Sequence, residues 1–134
     1  MIAELDMTVA QWTEGPFTTD DGPVLVSVTD FHVVRARDLP MVWAEGLRLR
    51  GAWPAMPGAV GLWLWAKPLH KRSGSVSVWR SEDDLRRFVS WPRHVAIMRR
   101  YRETGDLSSW TWLAERFDAA QIWGAARRQL TAGT

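Results

Sequence analysis

His94 and Tyr101 are the two side chains of this sequence whose types and spacing best suit proton-transfer chemistry. An imidazole titrates near neutral pH, so His94 is a candidate general base. Tyr101, the only tyrosine, follows it by seven residues and lies on the same face of a predicted helix. The pair predicts a site that holds and deprotonates a phenolic ligand. The alternatives are that His94 bonds carbonyls freed by Pro92 and that Tyr101 anchors the helix end.

Ten tryptophans in 134 residues are the outlier of the composition, and they indicate either a bulky core or a pocket for a flat ligand. Trp79 ends a predicted strand and Trp91 precedes the helix-breaking proline, so both are expected to reach the same space and stack on a planar ring. Four further tryptophans alternate along two strands. Each pair is expected to line one sheet face, in the pocket or at a dimer interface: Trp63 with Trp65, and Trp110 with Trp112.

The remaining titratable candidates give weaker signals. His32 shares a strand face with Asp30 and either points into the pocket or is a core histidine with its hydrogen bonds satisfied. His70 lies in a polar turn and is expected to be solvated. The three histidines have no close metal-ligand spacing, so no metal site is expected. The chain has no cysteine, which excludes disulfides, thiolate metal sites and cysteine nucleophiles.

The charge pattern argues against a nucleic-acid partner, because the net charge is only +2. Acidic residues flank the arginines that crowd the second predicted helix, which indicates a solvated face rather than a phosphate-binding surface: Arg86, Arg87, Arg93, Arg99, Arg100 and Arg102. No glycine-rich phosphate loop, serine-nucleophile elbow or catalytic carboxylate pair is present. Without an apolar leader or membrane-length run, the chain is expected to be cytoplasmic.

Hydrophobic periodicity predicts an N-terminal arm over residues 1–22, with a short strand at 5–11, and one domain over residues 23–134. Strands are predicted at 23–35, 59–66, 75–80 and 107–113. Helices are predicted at 38–49, at 81–105 with a kink at Pro92, and at 119–130. The order β-α-β-β-α-β predicts a ferredoxin-like α+β fold with an antiparallel sheet.

The second predicted strand has large apolar residues on both faces, Leu62 and Leu64 on one and Trp63 and Trp65 on the other. Two helices can cover only one face of a four-stranded sheet, so the other face needs a partner. A second copy of the chain is the expected partner, which predicts a homodimer. The alternative is that the N-terminal arm or the C-terminal helix covers this face within one chain.

The central segment resembles the antibiotic biosynthesis monooxygenase-like proteins of the dimeric α+β barrel superfamily. The resemblance rests on a strand that ends at Trp79, the acidic cap Ser81–Asp84, Phe88, and the run Trp91-Pro92-Arg93-His94. The preceding MPGAVGLWLW (residues 56–65) is similar to that family's second strand. The resemblance covers residues 24–115.

The resemblance implies a pocket between the sheet and the helices of each subunit and a monooxygenase-like protein. It would oxidise a flat, largely apolar aromatic or terpenoid substrate without flavin or metal, with His94 as base and Tyr101 as its hydrogen-bonding partner. The expected substrate contacts are Trp79, Trp91, Phe88, Trp65 and His32. Similar cofactor-independent oxygenases use an asparagine, and this chain has none. The missing asparagine favours one alternative, a non-catalytic ligand-binding or scaffold protein. The other alternative is a haem-binding member with His94 or His32 as ligand.

Overall fold

A six-stranded antiparallel sheet forms the centre of the computed structural model, which describes residues 7–19 and 21–132. The strands are β1 Thr8–Val9, β2 Thr13–Glu14, β3 Val24–Val33, β4 Ala59–Lys67, β5 Arg72–Trp79 and β6 Gly105–Ala114. The helices are α1 Leu39–Arg50, α2 Glu82–Val89, α3 Pro92–Tyr101 and α4 Ala119–Ala132. Among these helices, none combines the length and the apolar character that a membrane crossing requires.

The long strands lie in the order β4-β5-β3-β6, which with α1 and α2–α3 as the two crossovers is the predicted ferredoxin-like α+β arrangement. The short strands β1 and β2 pair with the outer edge of β4. Since β6 pairs only with β3 among the described residues, the sheet stays open and does not close into a barrel within one chain.

Within the described residues, the boundaries predicted for the long strands and the helices agree with the structure to within a few residues, except in the β4–β5 hairpin. In place of the strand predicted at 5–11 the structure has two short strands, Thr8–Val9 and Thr13–Glu14, and residues 5 and 6 lie outside the described part of the chain. The polar turn was predicted over 67–74, but β5 already begins at Arg72. A short 3₁₀ helix, Pro68–His70, and Lys71 in the left-handed conformation (φ 58°) reverse the chain in fewer residues. The tighter turn lengthens both strands and brings Arg72 into the sheet.

The capped start and the proline break of the second helical region are confirmed. The side-chain oxygen of Ser81 accepts a hydrogen bond from the backbone N–H of Asp84 at 3.3 Å, which caps α2. Pro92 lies in the first turn of α3, where its missing N–H costs nothing, so the region divides into two helices.

Different parts of the chain cover the two faces of the sheet. On one face, Leu25, Leu62, Leu64 and Trp79 pack beneath α1, α2 and the segment that follows α1. On the other face, valines of β3 and β5 and Trp65 pack against α4, and arm residues complete this cover: Met7, Trp12 and Phe17. The chain thus covers with its own arm and C-terminal helix the face for which a second copy was expected. Homodimer formation stays a prediction.

Asp84 links α2 to the turn before β4. Its carboxylate is 1% exposed and accepts hydrogen bonds from Arg80 (2.9 Å to each oxygen), Arg87 (3.0 Å) and the Ser81 hydroxyl (2.7 Å). Burial alone would raise the pKa of Asp84, but the bonds from Arg80 and Ser81 and the arginine charges lower it below its ordinary value. Gly58 lies against this carboxyl group with φ +74°, and a Cβ there would overlap it.

We expect Gly58→Ala to lower the free energy of unfolding by about 1–3 kcal/mol, because alanine is strained at positive φ and its methyl group displaces Asp84 from its partners. Urea denaturation followed by circular dichroism measures the loss. Gly124→Ala on α4 is the matched control, since its nearest neighbour is the far end of Arg128 at 3.6 Å. This control should be neutral or stabilise by up to about 1 kcal/mol. Equal losses in both variants would contradict the Asp84 argument.

Candidate functional site

His94 lies in the first turns of α3, and its imidazole Nδ1 is 3.0 Å from the carbonyl oxygen of Val89 at the end of α2. A carbonyl only accepts hydrogen bonds, so Nδ1–H is the donor and Nε2 carries the lone pair in the neutral ring. Burial lowers the pKa of His94 below its ordinary value, and the bond to Val89 opposes this only in part. The residue is therefore a neutral imidazole with a basic Nε2 at pH 7. The bond also shows that His94 satisfies a carbonyl at the proline break, as the alternative expected.

The ring of His94 packs on a cluster of aromatic side chains between the helices and the sheet. Its centroid is 4.5 Å from that of Phe88. Phe88 contacts Trp79 (5.4 Å), Trp53 (5.2 Å) and Trp91 (6.4 Å), and Trp53 meets Trp79 edge to face at 5.2 Å. The structure thus brings together four of the predicted residues: His94, Phe88, Trp79 and Trp91.

This aromatic cluster is closed. Trp79 is fully buried, Trp53 is 1% exposed, and their rings contact each other instead of facing an open slot. The indole of Trp79 donates to the Ser77 hydroxyl at 2.8 Å, whereas Trp53 Nε1 is buried without a partner. Sequence reasoning missed Trp53 because it took Trp53-Pro54 only as the end of a helix. The signal was a large aromatic residue in a turn directly before a core strand.

An open groove of about 500 Å³ runs beside this cluster, between α2 and β6. Its apolar lining consists mainly of Leu25, Leu85, Val89 and Leu113, and Thr111, Trp112, Glu82 and Arg86 complete it. The groove adjoins the aromatic cluster through Leu25, which packs with Trp79. It adjoins His94 through Val89, whose carbonyl binds the imidazole. The apolar groove is suited to hold a flat ligand, and Val89 connects it to the imidazole of His94.

Tyr101 lies in a different cluster from His94. Its ring packs with Phe31, Val33 and Leu39, and the Arg100 guanidinium lies 5.5 Å from the ring centroid. The phenol oxygen is buried and has no hydrogen-bond partner. Seven helical residues rise about 10 Å, so residues on one helix face can contact separate parts of the sheet. The structure shows no contact between Tyr101 and the imidazole among the described interactions.

Trp65 and His32 lie on the face of the sheet opposite to Trp79. Trp65 packs with the valines beneath α4 and is fully buried. His32 is exposed and lines a separate polar cleft on that same face. These two predicted substrate contacts are therefore not brought together with the aromatic cluster around His94.

No group of three or more histidine, aspartate or glutamate side chains within residues 7–19 and 21–132 is arranged to hold a metal ion. The arginines of α2 pair largely with their own helix, as Arg86 does with Glu82 at 2.6 Å. The positive observation for chemistry is the imidazole of His94, which is suited to proton transfer.

Known proteins match this chain in structure but not in sequence. No family model matches it, and no curated protein has significant sequence similarity to it. A cofactor-independent oxygenase, SnoaB from Streptomyces nogalater, superposes with a TM-score of 0.57 at 17% identity, over 73% of this chain and 99% of SnoaB. A candidate antibiotic biosynthesis monooxygenase from Deinococcus radiodurans gives a TM-score of 0.61 at 10% identity, over 70% and 95% of the two chains.

The chain has the fold of the antibiotic biosynthesis monooxygenase-like proteins. A candidate monooxygenase from Fusobacterium nucleatum shares this fold with a TM-score of 0.64 at 9% identity, over 84% of this chain. The match covers only 51% of the Fusobacterium protein, so this chain spans about half its length. At these identities the likeness concerns the monooxygenase-like fold alone. The site must therefore be argued from its own residues.

Proposed function

We propose that this protein is a small monooxygenase-like enzyme that oxidises a flat, largely apolar aromatic substrate without flavin or metal. The proposal rests mainly on the neutral imidazole of His94, which donates through Nδ1 to the carbonyl of Val89 and so keeps Nε2 as a base. Val89 in turn lines the α2–β6 groove. The shared fold with a cofactor-independent oxygenase supports the same reaction class.

The substrate that suits this chemistry carries an acidic CH₂ group between aromatic rings. His94 Nε2 takes one proton, and the resulting anion passes an electron to O₂. The two radicals combine into a peroxide, which recovers the proton from His94 and loses water. The CH₂ carbon becomes a carbonyl that holds one oxygen atom of O₂, and the other atom leaves as water. In the groove, Thr111 and Arg86 offer donors for the anionic oxygen of the substrate.

Oxygen uptake with anthrone as the probe tests this proposal. We expect uptake well above the rate of anthrone in buffer alone, with one anthrone converted to anthraquinone for each O₂ consumed. Leu113→Arg should raise the KM by about tenfold, because it places a charge in an apolar groove. Leu113 is 75% exposed, so the variant should fold.

Leu107→Arg is the matched control, because Leu107 lies on the same strand and face as Leu113 but outside the groove lining. It should leave the KM unchanged. If both variants behave alike, the groove is not the substrate site. No uptake above the buffer rate would reject the enzyme.

A non-catalytic ligand-binding protein is the second candidate, and it is favoured by the sequence, which lacks the asparagine that similar cofactor-independent oxygenases use. Saturable quenching of tryptophan fluorescence by anthrone, without accelerated oxygen uptake, would support this second function over the first.

A further inference from the structure

A polar cleft of about 540 Å³ lies on the opposite face of the sheet, between β3, β5, β6 and α4. Its volume falls within the roughly 300–1,000 Å³ typical of small-molecule sites. The proposed oxidation uses none of its residues. The cleft therefore needs an explanation of its own.

Strand pairing places the polar side chains of the cleft side by side. His32 on β3 pairs with Arg72 on β5 and with Asp106 on β6. Two residues before His32 on β3, Asp30 pairs with Ser108 on β6 and with Gly74 on β5. Gly74 carries no side chain. The next row brings Trp110 to the end of this patch. The result is a continuous hydrogen-bonding floor with an aromatic residue at one end.

Two residues that line this cleft, Arg72 and Trp110, each have a buried N–H donor without a hydrogen-bond partner. The Arg72 side chain is 8% exposed; its Nε and Nη2 bind Asp30 (3.1 and 2.6 Å), and Nη2 also donates to the Leu130 carbonyl (3.1 Å). The second amino group, Nη1, is buried and unsatisfied, and so is the indole Nε1 of Trp110. Unsatisfied buried donors are costly, so a ligand oxygen that reached them would bind favourably.

The charges of the cleft identify the class of ligand. Arg72 is paired with Asp30, and Asp106 adds a negative charge. His32 and His70 also line the cleft, and with histidine counted as neutral the lining has no excess positive charge for an anion. Asp106 accepts hydrogen bonds, and the exposed Ser108 hydroxyl both donates and accepts. Hydroxyl groups also donate and accept, and the C–H face of a sugar ring packs on an indole. We propose that this cleft binds a neutral, hydroxyl-rich ligand, such as a pyranose sugar.

Two-dimensional ¹⁵N–¹H NMR of the full chain tests this proposal through the indole N–H signals of the ten tryptophans. Trp110→Phe identifies the Trp110 signal and removes the donor while it keeps an aromatic ring. Methyl β-D-glucopyranoside and myo-inositol are the neutral probes, and inorganic phosphate is the anionic one. Trp43→Phe is the control, because Trp43 packs on the opposite face of the sheet and does not line the cleft.

We expect saturable shifts of the Trp110 indole signal with at least one neutral probe and none with phosphate. Trp110→Phe and Ser108→Ala should each weaken binding, measured on the remaining shifted signals, by about tenfold, and Trp43→Phe should not. Ser108 is exposed, so its variant decides the outcome if Trp110→Phe fails to fold. The proposal is overturned if neither neutral probe shifts the Trp110 signal, if phosphate binds more tightly, or if Ser108→Ala binds like the wild type.

Discussion

Replacement of His94 by alanine should slow aerobic turnover of anthrone by about 10²–10⁴-fold, the usual contribution of a general base, while the affinity for the substrate is retained. The groove that binds the ligand is lined by other residues, so the loss should fall on kcat rather than on KM. Stopped-flow oxygen uptake gives kcat, and quenching of tryptophan fluorescence under nitrogen gives the affinity.

His94→Gln separates a basic role from a structural one, because an amide can still donate to the Val89 carbonyl but cannot accept the proton. Compared with His94→Ala, His94→Gln should have a higher thermal stability but an equally low kcat. Full recovery of kcat in His94→Gln would leave His94 with a structural role only.

The pH profile of kcat follows from the direction of the pKa shift. Burial lowers the pKa of His94, so the neutral, basic form persists below the ordinary histidine value of 6.5. The rate should therefore be constant through neutral pH and fall only as the solution is acidified past that value. A fall that begins above it would assign the proton transfer to another group.

Trp79→Ala should lower the free energy of unfolding by about 3–5 kcal/mol, the usual cost of truncating a fully buried aromatic side chain. The variant loses the contacts with Trp53 and Phe88 and the hydrogen bond to Ser77. Urea denaturation measures the loss, and Leu113→Ala is the control, because Leu113 is 75% exposed and should change stability by less than about 0.5 kcal/mol.

Indole should restore part of this lost stability, since it has the shape of the cavity that Trp79→Ala leaves and binds only the folded chain. If the alanine variant does not fold, Trp79→Phe, which keeps part of the contact area, can be used to measure the loss of stability instead. A loss below about 1 kcal/mol in Trp79→Ala would mean that the closed cluster opens at little cost. It would then favour the substrate-contact role predicted for Trp79.

Local features of the chain were read from the sequence correctly. The capping serine Ser81, the division of a helix at Pro92 and the β-branched run of β3 lie within a few residues of where the pattern placed them. Each of these signals acts through the backbone of its own neighbourhood, by a missing N–H, a side-chain cap or a restricted rotamer. Their order along the chain was enough to predict the ferredoxin-like fold.

Which distant residues lie close together could be learned only from the tertiary structure. Helical spacing placed His94 and Tyr101 on one face, but the two lie against different parts of the sheet, in separate clusters. Strand alternation showed that β4 has two apolar faces. It could not show that Trp65 lies opposite to Trp79, since that depends on how β4 and β5 pair.

The sequence by itself determined the long strands, the helices and their order, and it offered the carbonyl bond of His94 as one of two alternatives, because these features follow from hydrogen bonding and sterics within a few residues. Only the tertiary structure decided that α4 and the arm cover the second face, that the aromatic cluster is closed, and that the open groove lies between α2 and β6. These outcomes are set by packing between segments far apart in the chain. Hydrophobic burial has no direction, so the same apolar pattern is compatible with several such packings.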